Sequence, residues 1–107
     1  MRFVIFVIDS RSRSAQGDEI AAIDAFNDDL RVRGEFVLAV GLADPGAAVV
    51  VDARGDASEI RSGSLFGGDE FFSGLWIIDV GSLEIAHERA MQGSRACNRR
   101  VELRPLL

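Results

Sequence analysis

Residues 3–8, within the opening RFVIFVID, are apolar without a break. A strand with one wet face alternates apolar and polar side chains, because successive side chains point to opposite faces. This stretch does not alternate, so both of its faces need cover. A chain of 107 residues has room for a single core. What shields the second face therefore constrains the fold more than any other feature.

The rest of the chain supplies the candidates. DSRSRSAQGD (9–18) is polar and reads as a loop. The period then changes: Ile20, Ile23, Phe26 and Leu30 recur at three- and four-residue steps, which predicts a helix over 18–33. Asp18 and Glu19 suit its positive end, Arg31 and Arg33 its negative end, and Gly34 its stop. Strands are expected at 35–44 and 47–53, divided by the turn DPG at 44–46. RGD at 54–56 reads as a turn, since an adhesion role needs a secreted context, and a short strand is expected around 58–61. SGSLFGGDEFFSG (62–74), with Gly63, Gly67, Gly68 and Gly74, reads as irregular. LWIIDV (75–80) is a strand. Ser82 caps a second helix with Leu83, Ala86, Ala90 and Met91 as its apolar stripe and Gly93 as its end. The closing 99–107 alternates through Val101 and Leu103 as a strand that Pro105 stops.

This order predicts an α+β fold in one domain over 1–107, a ferredoxin-like βαββαβ sheet with both helices on one face. FVIFVI, FVLAV, AAVVV and LWII are apolar on both faces. A bare second face would exceed the few hundred Å² of apolar patch usual on soluble monomers. The same face of a second copy covers it most economically, which predicts a homodimer through the open sheet face. The alternative is a monomer whose segment 62–74 folds over that face.

A net charge of −5 argues against nucleic acid as the main partner, despite the clustered Arg95, Arg99, Arg100 and Arg104. No apolar run is long enough to span a membrane, and the first residues lack a secretory pattern, so a cytoplasmic location is expected. Cys97 is the single cysteine and His87 the single histidine, so no internal disulfide, no metal site and no cofactor are expected.

RFVIFVID, GEFVLAVG after the acidic helix, SGLWIIDVGSLEIAHERA and VELRP together resemble the YCII-related proteins, more closely the branch named for an Asp-Gly-Pro-Phe motif. The resemblance spans nearly the whole chain and implies a ferredoxin-like fold that pairs as a dimeric α/β barrel. Where that branch carries its motif, this chain reads SGSL at 62–65 and keeps Gly63. The acidic residue after the motif falls on Gly67, and a second one matches Glu70. Some relatives pair an aspartate ending the first strand with a histidine on the first helix. Asp9 matches the aspartate, and the histidine position falls at or near Asp24, so the pair is incomplete.

Asp9 is thus a candidate general acid or base, or else a turn cap. Asp24 beside it would share a proton or a divalent cation, or else is a solvated helix residue. His87, aligned with Leu83 and Met91, is a candidate catalyst or a packed boundary residue. Arg11, with Arg13, is a candidate anion clamp or a solvated loop arginine. Phe66 and Trp76, with Phe71, Phe72 and Glu70 nearby, would line a ligand pocket or belong to the core. Ser10, Ser12 and Ser14 lack a nucleophile's GxSxG setting. Cys97, between Arg95 and Arg99, is a reactive thiol or an inert one. The function these features favour is a ligand-binding or regulatory module with a pocket near the dimer interface. The alternatives are a cofactor-independent enzyme using Asp9 and a structural interaction domain, as relatives in this branch are sometimes joined to sigma-factor-like partners.

Overall fold

A computed structural model describes residues 1–12 and 19–107. Arg13, Ser14 and Asp18, singled out above, lie outside the described residues. Among those described, the chain forms β1 (Arg2–Ser10), α1 (Glu19–Val32), β2 (Phe36–Gly41), β3 (Val49–Asp52), β4 (Glu59–Ser62), β5 (Glu70–Asp79), α2 (Leu83–Cys97) and β6 (Arg100–Pro105), with a 3-10 turn at Pro45–Ala47. Four strands make one antiparallel sheet in the order β2-β5-β1-β6. β3 and β4 do not join it but pair as a separate hairpin. The result is an α+β fold whose strand order is compatible with a ferredoxin-like arrangement.

β1 is central because it can bury both faces. Phe3, Ile5 and Val7 face the helices and join Trp76, Ile78, Phe26, Leu30, Ala86 and Cys97 in the core. Val4, Phe6 and Ile8 alternate onto the other face, opposite Ile77, Leu75 and Phe72 of β5. No helix covers that side among the described residues. Leu38, Val40 and Phe72 are each 41% exposed there. The segment after β4 does not fold over it, since Phe66 is 84% exposed and residues 70–74, expected to be irregular, belong to β5.

Each helix turns part of its expected apolar stripe inward, Ile23, Phe26 and Leu30 in α1 and Ala86 and Ala90 in α2, and leaves the rest in water. In α1, Phe26 and Leu30 are buried but Ile20 is 74% exposed in the first turn. In α2 the buried residues are Ala86, Arg89, Gly93 and Cys97, while Leu83 and Met91 face solvent. Gly93 does not end the helix. A Cβ there would lie 3.3 Å from the Phe26 ring and 3.5 Å from Trp76, so glycine lets α2 approach this edge-to-face aromatic pair closely. The helix runs on to Cys97 and closes at Asn98, left-handed at φ 51°.

Arg89 enters the core side of α2 because Glu35, just before β2, meets it. Arg89 Nε donates to Glu35 Oε1 at 2.5 Å, and both side chains are nearly buried. Glu35 holds the Arg89 guanidinium pKa above its ordinary value. Removing one partner strands a buried charge, whereas replacing both does not. Glu35→Leu is therefore expected to lower unfolding free energy by about 3–5 kcal/mol, and Glu35→Leu with Arg89→Met to recover most of it, in urea denaturation.

Candidate functional site

At the end of β1 the sheet and helices leave a cleft of about 390 Å³ on the helix side. Val7, Ala39, Gly74 and Trp76 form its floor, Ile23 and Asn27 of α1 one wall, Cys97 and Arg99 the other, and Asp9 one end. Asp9 continues the line Phe3, Ile5, Val7, so strand alternation aims it to this side. Gly74 belongs to an irregular step in the β1–β5 pairing between Val7 and Ile8. A Cβ on it would come within 2.8 Å of the Val40 carbonyl oxygen, so only glycine lets β2 and β5 close the floor.

Two local devices deliver Arg99. β6 runs antiparallel to β1 with Arg100 opposite Ile8, which brings residue 99 beside Asp9. The left-handed Asn98 then turns the chain, Ser94 Oγ donates to the Arg99 carbonyl at 2.6 Å, and Arg99 Nη1 donates to the Cys97 carbonyl at 2.9 Å. Arg99 Nε lies 3.2 Å from Asp9 Oδ1, and the two side chains are 17% and 12% exposed. The contact is an ion pair without hydrogen-bond alignment at Nε. Asp9 Oδ1 also accepts from the Ser10 amide at 2.8 Å. Trp76 Nε1 donates to Asn27 Oδ1 at 2.6 Å, which ties the indole in the floor to the α1 wall.

The structure gathers only part of the expected set. Asp9 and Trp76 share the cleft. Asp24 is exposed and does not line it; one turn on, Asn27 does. His87 is also exposed, in a shallow groove between α2 and β6 with Leu83 and Met91. Arg11 pairs with Asp44 at 3.4 Å and stacks over Phe71. Glu70 pairs with Arg100. Phe66 and Glu70 border a second groove of about 670 Å³, which begins at Ile8 and Phe72 on the uncovered sheet face. The sequence reading missed Asn27 and Arg99 as cleft residues; Asn27 was findable as the residue one turn beyond Ile23 on the same helix face, whereas Arg99 depends on the β1–β6 register. Among the described residues no three His, Cys, Asp or Glu side chains converge as metal ligands. No helix among them is long and apolar enough to cross a membrane.

Cys97 is 1% exposed, and burial pushes its thiol pKa up, against a smaller lowering from hydrogen bonding near Arg99. A group whose folded pKa is raised contributes stability that is intact below its unfolded value and fades as pH climbs through the folded one. Cys97 is accordingly expected to stay protonated and unreactive at neutral pH. Disulfide-reagent labelling of the folded chain should run at least about 100-fold slower than in urea. The chain matches no protein-family model and no curated protein.

Proposed function

We propose that the protein is a ligand-binding module of YCII type. It takes a small, partly apolar organic molecule in the Asp9 cleft and works as a homodimer of ferredoxin-like subunits joined, as a dimeric α/β barrel, through the open sheet face. The observation that carries the binding reading is the Asp9–Arg99 pair at the end of a largely apolar recess that Asn27 and Ser73 also line. Such a recess buries the body of a ligand, while an adjacent acceptor and donor orient its polar end. Binding is favoured over catalysis because Asp9 is charge-compensated by Arg99. The other titratable side chain lining the cleft among the described residues is the buried Cys97 thiol. An acid–base partner of the histidine kind is not at hand, His87 being on the far side of α2.

A thermal-shift screen of small organic molecules against wild type and Asp9→Ala tests this. A ligand at 100 times its Kd stabilises the folded state by about 2.7 kcal/mol, roughly 10–20 °C for a chain of this length. Hits are expected to raise the wild-type midpoint and to lose most of that rise in Asp9→Ala, each measured against its own unliganded melt. Equal rises in both proteins would remove Asp9 from the binding site.

A further inference from the structure

The β3–β4 hairpin has an apolar side that its own chain leaves in water. Val51 pairs with Ile60 and Val49 with Ser62, so Val49, Val51 and Ile60 share one side of the ribbon. They are 58%, 66% and 77% exposed. A two-stranded ribbon is marginal alone in water and gains stability when its apolar side is covered. Its root, by contrast, is braced. The Gly63 amide donates to the Ala48 carbonyl at 2.7 Å, Asp44 accepts from the Gly46 amide at 2.7 Å, and Arg11 pairs with Asp44.

The groove at the hairpin's root is continuous with the uncovered sheet face, since Ile8 and Phe72 belong to the sheet and Leu42 and Phe66 to the root. The total area says how large a cover this surface calls for. The accessible surface is 7238 Å², whereas a compact monomer of 11.6 kDa exposes about 5,800 Å². The radius of gyration is 15.8 Å, against about 13 Å for a compact chain of this length. An excess of about 1,400 Å² per chain doubles to about 2,800 Å² in a two-fold pair, within the range of obligate homodimers. Charge does not oppose self-association at the edge of the face, because Arg100 pairs with Glu70 and Arg104 with Glu102.

We propose that the β3–β4 hairpin is a dimerisation arm: Val49, Val51 and Ile60 of each copy lie in the groove of the other, against Ile8, Leu42, Phe66 and Phe72. This rests on the sheet-to-sheet pairing proposed above and names the element that locks it. A two-fold axis makes the contact twice, arm to groove and groove to arm.

Light scattering and sedimentation over roughly 0.1–100 μM compare wild type with Val51→Asp/Ile60→Asp, whose sites are exposed in the single chain, and with Leu38→Arg/Val40→Arg on the sheet face. A wild-type dimer whose dissociation constant rises roughly 100-fold or more in the arm variant, with circular dichroism unchanged, supports the proposal. A dimer broken by the sheet variant but not the arm variant overturns the arm and leaves the sheet pairing standing. A dimer broken by the arm variant alone removes the sheet pairing and, with it, the arm as a lock on that pairing. A wild-type monomer throughout overturns both. Should the arm variant misfold, a benzophenone side chain at position 60 decides. Mixed with isotope-labelled chains, it should cross-link to peptides holding Leu42 or Phe72 of the other copy. Cross-links confined to one chain overturn the arm.

Discussion

The double-sided apolar surface of β1 governs this molecule. Its backbone hydrogen-bonds to β5 on one edge and β6 on the other, so it has no free edge. Its side chains nevertheless need cover above and below. The two helices supply one layer, through Phe26 and Leu30 of α1 and Ala86 and Cys97 of α2. Among the described residues nothing is left for the second layer, and the shortest dimension is only 18 Å. The flat, half-dressed sheet and the unshielded hairpin are both consequences of having more apolar strand than helix.

Much of this architecture was legible because its signals are local. Unbroken apolar runs marked β1 and the later half of β5. Three- and four-residue spacing marked α1, and Ser82 marked the start of α2, where its Oγ accepts from the Ile85 amide at 3.2 Å. The inward stripe of α2 was half legible: Ala86 and Ala90 face the core as expected, Leu83 and Met91 do not, and Arg89, Gly93 and Cys97 join it unannounced. Amphipathic reading weights large apolar residues, yet here small ones face the core because Phe26 and Trp76 already fill the space. Residues 70–74 read as loop because four glycines across 62–74 outweighed the strand preference of Phe71 and Phe72. Pairing with β1, a contact distant in sequence, makes them strand. The opposite error befell β3, where Val49 and Val51 promised burial and lie exposed, only Val50 being half-buried.

The cleft was half legible for a related reason. A strand-end carboxylate such as Asp9 can be found by eye. Its partner Arg99 is ninety residues away and depends on the β1–β6 register and on a left-handed turn at Asn98. On α1, Asp24 is about 100° round the helix from Ile23, whereas Asn27 lies one turn above Ile23 and so shares its face. The residue nearest a site in sequence was not the one nearest in space.

The irregular step between Val7 and Ile8 has a wider consequence. Val7 lies opposite Gly74 but Ile8 lies opposite Phe72, so Ser73 is a supernumerary residue on β5. It resets the odd–even parity of everything before it in that strand. Without it Phe72 would point toward the helices. With it the ring stacks on Phe6 at a centroid separation of 4.4 Å and belongs to the uncovered side. A single codon thus decides which side of the sheet is greasy at this end, and shortening or lengthening β5 there by one position is a compact route by which descendants of this chain could exchange a sticky surface for a filled recess.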